Sequence, residues 1–163
     1  MIIRTATLED AKSICDIYNH YVENTVVSFE TTPVSISEMQ QRISNILKEG
    51  LPYYVCELEG KIVGYCYLHN WINRSAYSRT KEVTIYLDKD CSGKGIGTIL
   101  YQRLFDEAKT MDIHSVIANI CVPNEGSVRL HEKFGMKQVS FFSEAGWKFG
   151  KWHDIGHWQV IIT

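Results

Sequence analysis

Between an apolar run and the start of an amphipathic one, the segment Ser92-Gly93-Lys94-Gly95-Ile96-Gly97-Thr98 places glycine at every second position. A glycine-rich turn from a strand into a helix frees backbone N–H groups and sets them at the positive end of a helix dipole, where an anion such as a phosphate can be held. The same glycines could also serve only to make the turn. Two familiar phosphate motifs fail on spacing. A dinucleotide fingerprint needs G-x-G-x-x-G, and counting from Gly93 or from Gly95 puts Thr98 or Leu100 in the third glycine position. A P-loop needs Ser or Thr directly after Gly-Lys and a glycine five residues earlier, whereas Gly95 follows Lys94 and the earlier position is Asp88.

Other residue types suggest contacts to a small polar molecule. Phe29 and Glu30 fall in a loop after the first helix, and Trp71, Arg74, Tyr77 and Arg79 fall in the segment before Glu82. Arginine among aromatics suits a carboxylate carried on a short side chain, and an ordinary solvated loop is the other reading. His153 and His157 are four apart, but strand-like alternation around them keeps that spacing from acting as it would on a helix. No Cys or carboxylate cluster completes a tetrahedral set, so no metal is expected. Trp147, Trp152 and Trp158 have no basic patch beside them and suit sheet or subunit packing better than base stacking.

Stepping these groups into register requires a core, and 163 residues that are 45% apolar can build one, so a single domain over residues 1–163 is expected. A formal net charge of -2 supplies no field to collect nucleic acid or an anionic membrane, and neither partner is expected. Met1-Ile2-Ile3-Arg4-Thr5 does not read as a secretory signal, and no apolar stretch approaches membrane-spanning length. The expected location is the cytoplasm. Five cysteines, odd in number and widely spaced, read as reduced thiols, with Cys91 the one expected at the surface.

The elements follow from periodicity. A short strand at Ile2 to Arg4 precedes a capping pattern at Thr7 and Asp10, and Ala11, Ile14, Ile17, Tyr18 and Tyr21 then recur at helical spacing. Ser35 and Glu38 open a second helix carrying Met39, Ile43, Ile46 and Leu47, which Gly50 and Pro52 stop; residues 25–33 between the two read as a loop. Tyr53 to Leu58 and Ile62 to Leu68 form a hairpin across Glu59-Gly60-Lys61, and a third strand runs from about Glu82 to Leu87. Ile96, Leu100, Leu104 and Ala108 mark a helix that begins inside the glycine cluster; a buried strand near Val116 to Val122 follows. Asn124 caps the next helix, Gly135 ends it, and alternation around Gln138 to Phe142 and Asp154 to Ile162 gives two last strands. The sum is an α/β fold with a mixed sheet flanked by helices.

Gly-x-Gly-x-Gly after a central strand resembles the pyrophosphate loop of the GCN5-related N-acetyltransferase (GNAT) superfamily, with Ser92 where that loop usually carries Arg or Gln. Further stretches resemble one family within it, the phosphinothricin and methionine sulfoximine N-acetyltransferases: residues 14–22, Ser28-Phe29-Glu30-Thr31, Gly50-Leu51-Pro52-Tyr53, residues 124–135 and residues 148–154. The resemblance implies a mostly antiparallel, splayed sheet with CoA entering between the strands that part, and commonly a homodimer. It implies that Ile85, Tyr86 and Leu87 offer backbone groups to the pantetheine and thioester. Gly93, Lys94, Gly95, Ile96, Gly97 and Thr98 would hold the pyrophosphate, with Asn124, Ser127 and Lys133 as further cofactor contacts.

On the same pattern acetyl-CoA is the cosubstrate, Glu82 removes the ammonium proton directly or through water, and an N–H near Tyr86 stabilises the oxyanion. His131 stands where many members place a tyrosine thought to protonate the leaving sulfur. Relatives usually read aromatic, Arg, His, Thr before the glutamate, and Tyr77-Ser78-Arg79-Thr80 displaces the arginine by one. The expected acceptor is the α-amino group of a small amino acid or analogue such as phosphinothricin or methionine sulfoximine or sulfone. A polyamine, an aminoglycoside or a protein N-terminus is the alternative acceptor, and a CoA-binding protein without turnover is the non-enzymatic one.

Overall fold

The computed structural model describes residues 1–162; the expected domain runs one residue further, to Thr163, which lies outside the described residues. In chain order the elements are β1 (Ile2–Thr5), α1 (Ala11–Asn24), α2 (Ile36–Lys48), β2 (Tyr53–Leu58), β3 (Lys61–Asn70), β4 (Thr80–Leu87), α3 (Ile96–Ala108), β5 (Ser115–Val122), α4 (Glu125–Lys133), β6 (Lys137–Lys148) and β7 (Lys151–Ile161). The strands form one seven-stranded sheet in the order β1-β2-β3-β4-β5-β7-β6. Every pairing is antiparallel except β4 with β5.

Alternation within the hairpin strands divides the core into two layers. Tyr53, Val55 and Tyr65 face α1 and α2, where Ile14, Tyr18, Val22, Met39 and Ile43 close over them. Tyr54, Cys56 and Cys66 face the other way, against Leu100, Tyr101, Leu104 and Phe105 of α3. Successive residues of a strand point to opposite faces, so a strand apolar at every position is one covered on both. Both caps read from sequence are made: the Ser35 hydroxyl accepts from the Glu38 N–H at 3.1 Å, and the Asn124 side chain accepts from the Ser127 N–H at 3.2 Å. Asp10 accepts from the Thr7 N–H at 2.8 Å and is gripped by the Arg4 guanidinium at 2.8 and 2.9 Å, which ties β1 to the start of α1.

One interruption organises the molecule. β4 pairs with β5 only at Thr80↔Ser115, Lys81↔Val116 and Glu82↔Ile117. Beyond Glu82, β4 keeps its pairing with β3 as far as Leu87↔Gly64, and β5 keeps its pairing with β7 as far as Val122↔Asp154. The facing edges of residues 83–87 and 118–122 therefore part with no ladder between them.

Three expectations are corrected. Cys91 is buried, because the short turn Lys89–Cys91 folds it under the α3 layer while its N–H is held by the Asp88 carbonyl at 2.9 Å. β4 starts two residues before the expected Glu82. The two tail strands are the ends of one long hairpin, whose middle escapes the alternation pattern because the pairing slips between Gln138 and Ser140 and again between Phe142 and Gly146. Leu100 lies fully buried at the centre of α3, and Leu100→Ala is expected to lower the unfolding free energy by about 2–5 kcal/mol. Urea denaturation checks this, as a lower midpoint at an unchanged slope.

Candidate active site

The parted strands open a groove made of two cavities, of about 450 Å³ and about 470 Å³. Val27, Ile85, Tyr86, Asn124 and Ser127 line both, so one continuous path crosses the splay. The outer half is walled by Ser92, Gly93, Gly95, Gly97 and Thr98 together with Arg129 and Lys133, and no acidic side chain lines it among the described residues. Gly93 and Gly95 have φ of 76° and 80°, a backbone region that favours glycine, and Gly95 is the residue from which α3 starts. A Cβ on Gly97 would come within 3.2 Å of Leu130, so glycine there lets α4 close against α3. Lys133 reaches Thr98 at 3.4 Å and puts a cation at the rim. Free N–H groups at a helix start beside two cations suit a diphosphate.

Of the residues expected around this anion, Ser92, Gly93, Gly95, Gly97, Thr98, Asn124, Ser127 and Lys133 are on the groove wall together with Ile85, Tyr86 and Leu87. Lys94 is exposed and outside the lining. Ile96 is a core residue beneath the turn. Arg129, on the first turns of α4, is the lining cation the sequence reading did not name.

The inner half ends at Glu82, on the last rung of β4–β5 pairing. Burial pushes the Glu82 carboxyl above its usual range, and His69 and His157 offset only part of that rise. The register of the β3–β4 hairpin sets His69 directly across from Glu82, with Nε2 3.8 Å from Oε1. Tyr18, Ser28, Phe29, Glu30, Tyr67, Thr84, Asn119 and Cys121 complete the walls. The Tyr18 hydroxyl bonds the Ser28 hydroxyl at 2.9 Å, and the Lys148 ammonium donates to the Ser28 carbonyl at 2.7 Å, which pins the Ser28–Glu30 loop from two elements. The Phe29 ring, in the cavity wall, sits against Gly146, where any Cβ would collide with it, so glycine there lets the β6–β7 hairpin back this loop.

Glu30 is in the cavity wall with its charge already used. Arg42 donates to both of its oxygens, at 2.6 and 3.1 Å. Burial acts to raise the Glu30 carboxyl, but the Arg42 and Tyr18 hydrogen bonds outweigh it and hold the group below its usual range.

His131 also lines the cavity, yet both ring nitrogens are engaged. Nδ1 lies 2.7 Å from the Ser127 carbonyl, which can only accept, so Nδ1 carries the proton; Nε2 then accepts from the Tyr101 hydroxyl at 2.8 Å. Burial lowers its pKa and the Ser127 carbonyl only partly restores it, which leaves the imidazole neutral. In this arrangement His131 has no proton aimed at the groove, in contrast to the acid role the sequence suggests.

Trp71, Arg74, Tyr77 and Arg79 do not line the cavity. Trp71 and Tyr77 meet edge to face at 5.4 Å, and Arg79 is bonded to Asp112 at 2.7 Å. Sequence reading missed Tyr18, Tyr67, His69, Tyr101 and Asn119. For His69 the signal exists, since pairing β3 with β4 places it opposite Glu82, but only once the register is known. Among the described residues no group of three or more His, Cys, Asp or Glu side chains could hold a metal ion, and no helix is long and apolar enough to cross a membrane.

Residues 3–157 match the model of the acetyltransferase (GNAT) domain family. The chain is 39% identical over 157 residues to a phosphinothricin N-acetyltransferase of Streptomyces viridochromogenes, covering 96% of this chain and 85% of the relative. It is 31% identical to an L-methionine sulfoximine/L-methionine sulfone acetyltransferase of Pseudomonas aeruginosa, covering 98% and 94%. A crystal structure of a phosphinothricin acetyltransferase from Sinorhizobium meliloti in complex with acetyl-CoA superimposes with a TM-score of 0.96 at 34% identity, over 99% of this chain and 88% of that one. With a splayed sheet, a glycine turn at a helix start and a match along nearly its whole length, the chain belongs to the GNAT family and is an acetyl-CoA-dependent N-acetyltransferase.

Proposed function

We propose that the enzyme acetylates the α-amino group of a small amino acid or amino-acid analogue, of the phosphinothricin or methionine sulfoximine kind named for its relatives. The observation that carries this reading is the single groove with the amides of a glycine turn at one end and a half-buried carboxylate, Glu82, at the other. The diphosphate of acetyl-CoA rests on Gly93 to Thr98, with Lys133 and Arg129 beside it. The pantetheine runs along the free edge of Ile85, Tyr86 and Leu87, past Asn124 and Ser127. The thioester carbonyl then meets a backbone N–H near Tyr86, where negative charge develops during attack.

Two protons leave the substrate nitrogen. One goes from the ammonium to a Glu82 oxygen and frees the lone pair for attack on the thioester carbon. The other leaves as the tetrahedral adduct collapses, and it ends on the departing sulfur. Neutral His131, held by Ser127, orients the Tyr101 hydroxyl at the thioester end of the groove and does not supply that proton itself. In wild type the rate falls as pH drops through the raised pKa of Glu82, because the carboxylate is then lost. Glu82→Gln depends on free amine and should lose about tenfold per pH unit below the amine pKa. Its deficit in kcat/KM should therefore widen as pH falls toward the Glu82 titration; release of free thiol against pH checks this, and parallel profiles would remove Glu82 from the role of base.

The substrate carboxylate needs a cation, and no Lys or Arg lines the inner cavity among the described residues. We assign that contact to Arg74, at the exposed rim of the segment leading into Glu82, with Trp71 and Tyr77 as its aromatic neighbours. Arg79 is tied to Asp112 and Arg74 is in no ion pair among the described residues. Arg74→Ala is expected to raise KM for an amino-acid acceptor by about ten- to a hundredfold, the worth of a charge-assisted hydrogen bond, with kcat little changed. Arg79→Ala should move KM less. A panel with polyamines and aminoglycosides as acceptors checks the class of substrate.

We also propose that the enzyme works as a homodimer in the cytoplasm. β6 is an edge strand, and the β6–β7 hairpin exposes Phe141, Phe142, Trp147, Phe149 and Trp152, a clustering of large apolar side chains expected of a covered surface. All five cysteines are free thiols, in keeping with a reducing compartment. Light scattering should report a dimer for wild type and a folded monomer for Phe141→Glu combined with Trp147→Glu.

A further inference from the structure

We propose that His69 relays the substrate's proton from Glu82 to solvent, so that the base is restored within each turnover. The inference rests on Glu82 being the base. The Nδ1 atom of His69 lies 3.0 Å from the Asn70 carbonyl, which can only accept, so in the neutral ring Nδ1 carries the hydrogen and Nε2 holds a lone pair. That lone pair is the atom facing Glu82 Oε1 at 3.8 Å. Glu82 and His69 both line the inner cavity, with side chains 26% and 36% exposed, so the ring is the more open of the two to water. Catalytic hydrogen bonds are commonly long without substrate and tighten when it binds, so 3.8 Å is within reach of transfer, directly or through one water.

The proton balance closes. An ammonium N–H bond breaks and an O–H bond forms on Glu82; that bond then breaks as an N–H bond forms on Nε2. The resulting imidazolium keeps its Nδ1 hydrogen on the Asn70 carbonyl and loses the Nε2 hydrogen to a water or buffer molecule, which returns the ring to its starting form beside the Glu82 carboxylate. With substrate in the cavity, the relay gives the Glu82 proton a second way out, through the more exposed ring.

Other groups near Glu82 do not offer this route. Tyr67, from the same strand as His69, is a buried phenol whose pKa burial raises, and so a poor carrier. Glu30 shares the cavity but is bonded to Arg42. β5 brings Asn119, which does not titrate. Lys81, next to Glu82 on β4, turns its ammonium to Asn70 and Ser78 at 2.7 Å each. His157, from β7, has Nδ1 bonded to the Ser140 hydroxyl at 2.7 Å and influences Glu82 only through space among the described contacts.

The test is steady-state acetylation by His69→Gln and His69→Ala in dilute buffer, with and without added imidazole. Both variants should lose about tenfold in kcat with KM for acetyl-CoA unchanged, a loss at the low end of general acid-base effects. Imidazole should restore kcat of His69→Ala in proportion to its concentration and leave Glu82→Gln unrescued. Wild-type kcat in both His69 variants, or a loss that imidazole does not restore, overturns the relay while leaving Glu82 as base; full activity of Glu82→Gln overturns both. Nitrogen NMR of the histidines in the wild-type enzyme gives a measurement independent of variant folding. A neutral His69 protonated at Nδ1 supports the relay, and one protonated at Nε2 overturns it.

Discussion

Parallel pairing between β4 and β5 lasts for three rungs and then stops, and the chemistry of this enzyme depends on that stop. A backbone N–H or C=O buried without a partner costs about 1–3 kcal/mol, so a sheet does not give up its ladder without something to satisfy the freed groups. Here the freed edges belong to residues 83–87 and 118–122, and the amide-bearing arm of CoA supplies donors and acceptors of the same kind. In the proposed reading the cofactor completes the sheet across the splay, and its acyl end reaches the point where protein pairing resumes, at Glu82.

The two ends of the groove are held by different parts of the core. At the outer end, α3 is anchored through Leu100, Tyr101 and Leu104, and Gly97 lets α4 close on it, so the amides of the glycine turn are fixed before any anion arrives. At the inner end, the loop between α1 and α2 is pinned by Tyr18 from one side and Lys148 from the other. The β6–β7 hairpin thereby acts twice, backing Phe29 through Gly146 and presenting an apolar outer surface. Electrostatics divides along the same line: Arg129 and Lys133 at the glycine-turn end, and a carboxyl raised by burial at the Glu82 end.

Much of this was legible from residues alone. Capping signals at Ser35 and Asn124, the hairpin at Glu59 to Lys61, and the strand-to-helix glycine turn each rest on local chemistry, and each is realised. The α/β fold with a mixed sheet was read from periodicity, its splayed, mostly antiparallel form came from the resemblance, and the strand order and family match agree with both. What local reading missed depends on long-range packing. Cys91 looked exposed because its neighbours are polar, and a turn folds it inward. Arg79 looked like a carboxylate ligand because it stands among aromatics, and Asp112, more than thirty residues away, claims it. His69 is inconspicuous in sequence and becomes Glu82's neighbour only through register. The length of β6 and β7 was hidden by slips in pairing: the first, of one residue, reverses which side chains of β6 face the core, and the second, of two residues, interrupts the alternation.

A crystal structure of the enzyme with acetyl-CoA measures the central claim most directly. The account requires diphosphate oxygens within hydrogen-bond distance of the N–H groups of Gly93 to Thr98, the pantetheine strung between the free edges of β4 and β5, and the acetyl carbonyl directed toward Glu82. A cofactor bound elsewhere, with the splay empty and the glycine turn uncontacted, would contradict it.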